Sequence, residues 1–417
     1  MVVSSVGLSA SPSPGAADVS NIHMVEIEST QKIHDAVFGG AHCRKLGLRV
    51  LPMPPISPQS RYRRNTDVVP TRQDSPMKAI FDDRQRRHDP QFRLLDGKII
   101  ENPDRPARVD VLLDGVGRAG YALTSAQDHG IAPISALHTP RYIDFLRTIH
   151  ARRSALVGDL PEVVPSRTCP DRSMNYSYDT EALMAFHNAD TSCPISAQSW
   201  EAIYWSAQTA VTGAKTLLLG DKTAYALCRP SGHHAYAELA GGFCFLNNSG
   251  IAAEQLRQAG HRPAILDIDV HHGNGTQGIF YDRDDVLTVS LHVDPAQFYP
   301  FFAGAACETG QGRGAGFNLN LPLARGQGDA DYLATLDRAL AHIDAFGASV
   351  IVVALGLDAH EGDPFQGLKV TTDGFAEIAR AIASLGLPVL NVQEGGYMQP
   401  ALGDNLASYL GAMGAAV

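Results

Sequence analysis

The sequence has no apolar run near the roughly 20 residues that a membrane-spanning helix requires, so no membrane partner is expected. Its N-terminus lacks the basic stretch and the continuous apolar stretch of a secretory signal. The six cysteines stand far apart, and none belongs to a Cys-X-X-Cys pair. This spacing predicts neither a thiolate metal site nor a disulfide framework. It favours a reducing compartment, which we take to be the cytoplasm.

Positive charge is scarce as well. The 34 Lys and Arg residues are outnumbered by 44 Asp and Glu residues, which leaves a net charge of -10. An acidic chain is a poor partner for nucleic acid but tolerates a cationic substrate. No Gly-X-Ser-X-Gly motif is present, so a serine nucleophile of that kind is not predicted.

Residues 1–76 differ in composition from the rest of the chain. They are rich in Ser, Pro and Arg and show no sustained period of 2 or 3.6. We expect a disordered extension here, or a natural start at Met77, and a folded domain over 77–417. A targeting or regulatory arm around the basic residues 61–64 is the alternative, although such runs are usually solvated tails.

Apolar strand-like segments alternate with helix-like segments from Trp200 onward. The runs TAYALC, AILDIDV, VLTVSLHV, VIVVALGL and LPVLNV are nearly continuous and resemble buried strands. This pattern is typical of an α/β fold with a mainly parallel sheet and helices on both faces. Because ligands bind beyond the carboxyl ends of such strands, polar residues at those ends are the candidates for chemistry.

The segment AILDIDVHHGNG, residues 264–275, carries the densest group of such residues. Alternate residues of a strand share one face, so Asp267, Asp269 and His271 are expected to project together. This group is costly to bury unless a cation offsets it, and its oxygen and nitrogen atoms suit zinc. We predict Asp358, at the end of another strand, as the third ligand beside Asp269 and His271, with Asp267 in support. Three mixed ligands leave room for water, which is typical of a catalytic metal.

Candidate acid–base residues follow the other strand ends. His233 and His234 stand in tandem in a glycine-bounded loop, and we interpret them as a general base and a general acid that need orienting partners. Asp267 and Asn274 are the candidate partners. Tyr397 follows two glycines and is a candidate hydrogen-bond donor to an oxyanion. Together these residues predict metal-assisted hydrolysis of an acyl group.

Five ordered motifs over about 77–414 resemble the zinc-dependent histone deacetylase superfamily. They are LCRPSGHHAYAELAGGFCFLNN, AILDIDVHHGNGTQGIFY, VSLH, LGLDAHEGDP and EGGY. The likeness is strongest to the bacterial acetylpolyamine amidohydrolases and to class II-type deacetylases. It implies the arginase–deacetylase fold, an open and mainly parallel sheet with helices on both faces. It also implies removal of acetyl groups from linear cationic amines.

The resemblance assigns roles to individual residues. One zinc ion would be bound by Asp269, His271 and Asp358, and His233 and His234 would be the catalytic histidines, with His234 as the base. Further residues with an implied role are the histidine partners Asp267 and Asn274, the carbonyl-polarising Tyr397, the tunnel walls Phe243 and Tyr299, the backbone carbonyl of Gly242, and Arg108 of an internal acetate channel. A structural potassium ion would use Asp267, Asp269, His271, Ser290 and Leu291.

The chain also departs from the resemblance. Ser231 stands where many relatives have a second proline, and we expect little effect. Phe365 stands where an acidic gatekeeper would select polyamines, so that device is absent, and Phe365 is expected to contact substrate. Residues 158–198 resemble the insertion that shapes a dimer and narrows the site in acetylpolyamine amidohydrolases, so a homodimer through this insertion is expected. Asp190 lies near where that family carries a Glu facing the cationic substrate, and it is a candidate substrate contact.

Several functions fit these residues to different degrees. The leading hypothesis is a zinc amidohydrolase acting on a small acetylated amine, such as an acetylpolyamine or acetylcadaverine, because the insertion should exclude bulky partners. Deacetylation of acetyl-lysine in proteins is the alternative within the same chemistry. A ureohydrolase shares the fold but needs two manganese ions, and Ala359-His360-Glu361 supplies no second pair of carboxylates. A catalytically silent protein that binds acyl amides is the alternative of another class.

Overall fold

The computed structural model describes residues 77–95, 97–173 and 175–416, so the expectations for residues 1–76 lie outside the described part. The strands are β1 (Lys78–Phe81), β2 (Phe92–Leu95), β3 (Lys98–Glu101), β4 (Ala122–Ser125), β5 (Thr223–Ala226), β6 (Pro263–Asp267), β7 (Leu287–Val293), β8 (Asn318–Leu323), β9 (Val350–Leu355) and β10 (Val389–Gln393).

The helices follow the strands in the predicted alternation. They are α1 (Ala107–Arg118), α2 (Ala132–Ser135), α3 (Pro140–Val157), α4 (Thr180–His187), α5 (Ser199–Leu218), α6 (Asn248–Gln258), α7 (Asn274–Phe280), α8 (Asp329–Phe346), α9 (Thr372–Ala383) and α10 (Leu402–Ala416). Short 3-10 turns cover Asp83–Arg87 and Gly312–Gly314. None of the described helices is long and apolar enough to cross a bilayer.

Eight of these strands form one sheet in the order β4-β1-β5-β10-β9-β6-β7-β8. Every neighbouring pair in it is parallel. The strands β2 and β3 form a separate antiparallel hairpin, in which Arg93 is paired with Ile100. The predicted parallel α/β sheet is therefore confirmed, and its central strands bring their carboxyl ends to one edge.

Apolar side chains cover both faces of the sheet. In β9, Ile351, Val353 and Leu355 belong to the core on one face, whereas Val350 and Val352 belong to the core on the other. Helices α1, α8, α9 and α10 close the first core, and α3, α5 and α6 close the second. This double cover explains why the central strands are apolar at every position rather than at alternate ones.

The structure corrects the expectation that Asp267, Asp269 and His271 share one strand face. Strand β6 ends at Asp267, and the other two lie in the segment that follows. Side-chain acceptors take the N–H groups of these two residues, since Asp267 Oδ1 accepts from the Asp269 N–H (3.1 Å) and Asp269 Oδ1 accepts from the His271 N–H (2.9 Å). The Ile268 N–H, between Asp267 and Asp269, still donates to the Ala354 carbonyl of β9 at 3.0 Å. Such local carboxylate–backbone bonds compete with a sheet ladder and end the strand.

Other elements had no clear counterpart in the predicted pattern. Strands β4 and β8 and the β2–β3 hairpin were not predicted, and the segment 158–198 contains the helix α4. The Asp179 side chain caps α4 by accepting from the N–H groups of Glu181 and Ala182.

The cysteines only partly match the expectation of reduced thiols. Cys169, Cys193, Cys228 and Cys244 are free, whereas Cys307 is disulfide-bonded. Scattered spacing excludes a dense disulfide framework but not a single bond, because distance along the chain does not fix distance in space.

Candidate active site

Three buried ligand-type residues meet beyond the carboxyl ends of β6 and β9. The ligand atoms of Asp269, His271 and Asp358 all lie within 4.8 Å of one another. His271 Nδ1 lies 3.1 Å from Asp269 Oδ1 and 3.2 Å from Asp358 Oδ2. Asp358 Oδ2 is buried and accepts no hydrogen bond from any described residue. The group offers two carboxylates and one imidazole, with Asp358 Oδ2 left without a hydrogen-bond donor among the described residues. This donor set fits a divalent cation such as zinc.

Glycines let the backbone approach these carboxylates. A Cβ added to Gly395 would lie 2.2 Å from Asp358 Oδ2, and one added to Gly356 would lie 2.3 Å from Asp269 Oδ2. The Gly395 N–H donates to Asp269 Oδ2 at 2.8 Å, and the Val270 N–H donates to Asp358 Oδ1 at 3.1 Å. The remaining carboxylate oxygens are thus held in place by main-chain donors, which orients the ligand atoms before any ion binds.

The charges of this group oppose one another. Burial and the nearby Asp269 carboxylate together raise the pKa of Asp358 to about 6, against the lowering effect of His271. Burial would lower the pKa of His271, but the hydrogen bond with Asp269 and the negative charges of Asp358 and Asp269 raise it to about 9. A divalent cation bound between Asp269 and Asp358 would relieve the repulsion between their carboxylates.

The tandem histidines are oriented by different partners. His233 Nδ1 lies 2.9 Å from Asp267 Oδ2, and His234 Nδ1 lies 2.7 Å from Asn274 Oδ1. Since an oxygen accepts in each bond, both Nδ1 atoms carry a proton, and Nε2 of His234 is available to accept one. Burial and the neighbouring His233 hold the pKa of His234 well below its usual value. Burial opposes charge on His233, yet Asp267 and Asp269 raise its pKa well above the usual value.

Tyr397 lies against two of the predicted substrate-contact residues. Its ring centroid is 5.9 Å from that of Phe243 and 4.9 Å from that of Phe365. Only 4% of Tyr397 is exposed, and burial raises its pKa well above the usual value. The phenol therefore keeps its proton near neutral pH and can act as a hydrogen-bond donor.

Asp190 is brought to the same site by the insertion. Its Oδ2 accepts from the Tyr299 hydroxyl at 2.8 Å and from the Gly242 N–H at 3.1 Å. The Tyr299 ring in turn meets the His234 ring edge-on, with 4.9 Å between centroids. A Cβ at Gly242 would lie 2.4 Å from His234 Cδ2, so only glycine fits between the histidine and Tyr299. All predicted site residues are thus gathered in one region.

Arg108 anchors the loop that carries Tyr397. Its Nε donates to the Gly396 carbonyl at 2.7 Å, and its guanidinium carbon lies 4.8 Å from the centroid of the Tyr397 ring. Arg108 and Arg229 both bond to Asp104 Oδ1, at 2.7 and 3.0 Å. Two arginines that share one carboxylate leave an excess positive charge directly behind the tyrosine.

Glu394 is a site residue that the sequence prediction missed. Its Oε2 accepts from the N–H groups of Gly232 and His233 at 2.6 and 3.1 Å, and its Oε1 accepts from the Ser249 hydroxyl at 2.8 Å. Glu394 therefore fixes the histidine loop to the end of β10. The available signal was its position in the EGGY motif, a carboxylate directly after a buried strand.

Comparisons with known proteins identify the family. Residues 102–413 match the histone deacetylase domain. The chain is 41% identical over 339 residues to an acetylpolyamine amidohydrolase of Burkholderia pseudomallei, covering 81% of this chain and 99% of the relative. It is also 41% identical to acetylpolyamine amidohydrolase 1 of Pseudomonas aeruginosa, covering 80% of this chain and 98% of the relative.

A solved structure has the same fold. A crystal structure of acetylpolyamine aminohydrolase from Burkholderia pseudomallei superposes with a TM-score of 0.78 at 42% identity, covering 81% of this chain and 99% of that chain. The sheet and the helices on both faces are therefore those of a known fold.

Proposed function

The chain belongs to the histone deacetylase family of enzymes, and on this premise we propose that it hydrolyses the amide bond of small, linear acetylated amines, with acetylpolyamines or acetylcadaverine as substrates. The observation that carries the proposal is the meeting of a neutral His234 and a protonated Tyr397 with the group Asp269, His271 and Asp358. Products would be acetate and the free amine.

Asp269, His271 and Asp358 would hold one zinc ion. Bound zinc would polarise the acetyl carbonyl and make a nearby water molecule more acidic. The orphan oxygen of Asp358 and the mixed nitrogen and oxygen donors support this assignment.

The protein residues divide the proton transfers between them. His234 accepts a proton from the attacking water at Nε2, because Asn274 occupies its Nδ1. Tyr397 donates a hydrogen bond to the oxygen of the substrate carbonyl as negative charge develops there. His233 is protonated on both ring nitrogens, because the Asp267 carboxylate stabilises the positive charge. It donates a proton to the departing amine nitrogen. The aromatic residues Phe243 and Phe365 flank the methylene chain.

Three further features belong to the proposal. A structural potassium ion is proposed beside Asp267 and Ser290, two of its five predicted ligands, which line a small polar cavity together with Asn318 and Asn320. The insertion at 158–198 is the proposed dimer contact.

The proposed location is the cytoplasm, which the four free thiols support. The disulfide at Cys307 would fit an oxidising compartment instead, and cell fractionation distinguishes these two locations.

A kinetic panel tests the substrate. We expect kcat/KM of the zinc-loaded enzyme to be higher for acetylputrescine or acetylcadaverine than for acetyl-lysine peptides, and hydrolysis to be lost in the His234→Ala variant. The reverse ranking would identify a protein deacetylase. Zinc-loaded enzyme that binds acetylated amines without hydrolysing any of them would identify a silent binding protein.

Metal analysis tests the cofactor. Dialysis against a chelator is expected to abolish hydrolysis, and restoration should require about one zinc per chain. Two manganese ions per chain together with urea release from agmatine would instead support a ureohydrolase. The Asp358→Ala variant should bind no zinc while retaining the fold, which circular dichroism can check.

A further inference from the structure

Arg93 lies above the aromatic residues of the site. This arginine is on β2 of the separate hairpin, and its guanidinium carbon is 5.4 Å from the ring centroid of Phe365 and 5.8 Å from that of Phe243. Both rings contact Tyr397 on their inner side. Tyr397 and Phe243 are 4% and 7% exposed, whereas Arg93 is half-buried. From the inside of the site outward, the order is therefore the Tyr397 phenol, then the rings of Phe243 and Phe365, and then the Arg93 guanidinium.

The charge of Arg93 has no counter-ion in the described chain. None of the described residues accepts a hydrogen bond from its Nε, which is buried. Burial lowers the pKa of Arg93, and the group that opposes this effect is the Tyr397 phenol rather than a carboxylate. Other half-buried arginines are paired, as Arg172 is with Glu238 and Arg283 is with Asp285. Contact with two ring faces holds the Arg93 guanidinium but does not neutralise it.

The acidic residue at this site cannot serve as its partner. Both oxygens of Asp190 are used locally, by the Ser192 N–H on one side and by Gly242 and Tyr299 on the other. A half-buried guanidinium with free donors is a good partner for a carboxylate, which it can bind with two parallel hydrogen bonds. A terminal ammonium gains no such bond and is disfavoured by the positive charge, so the acetylated amines of the proposed function bind through contacts at the acetyl end and along the methylene chain rather than through Arg93.

We propose that Arg93 is a specificity-determining residue that binds a carboxylate at the far end of the substrate, so that the site also accepts linear acetamides with a terminal carboxylate. The acetyl group enters toward Tyr397, the methylene chain passes between Phe243 and Phe365, and the carboxylate meets Arg93. The substrate class is that of ω-acetamidocarboxylates. This inference rests on the proposed function, since it concerns the same amide hydrolysis.

Three probes that differ only at the far end test it. They are 6-acetamidohexanoate, N-hexylacetamide and N-acetylcadaverine, which end in a carboxylate, a methyl group and an ammonium. In the Arg93→Gln variant we expect kcat/KM to fall about tenfold for the carboxylate and to rise for the ammonium, with the neutral probe changed by less than about twofold. Arg93→Lys should retain part of the preference, because it keeps the charge but loses the planar donor pair.

Two controls separate charge recognition from a structural effect. Lys98→Gln removes a cation from the same hairpin, on an exposed residue of β3, and should leave all three values unchanged. Added salt should reduce the preference of the wild type for the carboxylate over the neutral probe and have little effect in Arg93→Gln. An equal change for all three probes, or none, would overturn the inference while the proposed function stands. Failure of the wild type to hydrolyse even the neutral probe would overturn both.

Discussion

At the scale of single residues, the phenol of Tyr397 is the group whose contribution can be isolated most cleanly. It is buried, protonated and in contact with both Phe243 and Phe365. Tyr397→Phe keeps the ring and removes the donor, so kcat should fall about 10²- to 10³-fold with little change in KM. Steady-state kinetics measure this loss.

Tyr409 provides the matched control for that substitution. Its hydroxyl donates to Asn391 Oδ1 at 2.9 Å in the core, away from the site. Tyr409→Phe should cost about 1 kcal/mol in the free energy of unfolding and leave kcat unchanged. A Tyr397→Phe enzyme with wild-type kcat would show that the phenol does not stabilise the reacting carbonyl.

Asn274 is the proposed positioning residue for His234. Its Oδ1 accepts from His234 Nδ1 at 2.7 Å and so leaves Nε2 as the acceptor. Without this bond the imidazole can adopt the other tautomer or rotate, and Asn274→Ala should lower kcat about 10- to 100-fold. Zinc content and KM should be unchanged, as measured by metal analysis and kinetics. Loss of zinc in this variant would show instead that Asn274 supports the metal group.

At the scale of elements, the insertion at 158–198 contacts the candidate site through Asp190. Its carboxylate joins the insertion to Tyr299 and to the Gly242 N–H. Asp190→Asn replaces one acceptor oxygen by a donor that faces the Gly242 N–H. The contacts that hold Tyr299 and Gly242 in place should therefore weaken. We expect kcat/KM for an acetylated amine to fall about tenfold, mainly through KM.

Helix α4 of the same insertion offers a control. Glu181 pairs with Arg153 at 3.0 Å on the surface, and Glu181→Gln should change kcat/KM by less than about twofold because exposed pairs contribute little. An Asp190→Asn enzyme that matches this control would remove Asp190 from the substrate site. It would leave the insertion with a structural or dimer role only.

At the scale of the whole molecule, buried neutral histidines make stability depend on pH. Burial, helped by the nearby Arg229, lowers the pKa of His88 to about 3, and its Nδ1 bonds with the Ser199 hydroxyl at 3.0 Å. In the unfolded chain the usual pKa is near 6.5. The unfolded state therefore takes up a proton between pH 7 and pH 5 that the folded state does not, and folding loses about 2 kcal/mol over this range from His88 alone.

The variant His88→Asn isolates this contribution. Urea unfolding at pH 7 and pH 5 should show a fall in stability that is smaller than that of the wild type by about 2 kcal/mol. His261→Asn, at a partly buried surface position, serves as the comparison. An identical pH dependence in His88→Asn and wild type would mean that His88 is charged in the folded protein.

The sequence by itself determined the fold class and predicted most of the residues that the fold brings together. Continuous apolar strands between helices require a sheet that is covered on both faces, and the polar residues at strand ends are brought together by the parallel arrangement. For this reason Asp269, His271, Asp358 and the two histidines could be predicted as neighbours before any coordinates.

Only the tertiary structure decided the outer part of the site. Arg93 lies on a hairpin that the predicted pattern did not contain, and its position over Phe243 and Phe365 depends on contacts between segments far apart in the chain. The same holds for Glu394, which bonds from the end of β10 to the histidine loop that follows the neighbouring strand β5. Periodicity reports which face of an element is buried, whereas the partner of a charged side chain is set by packing between elements.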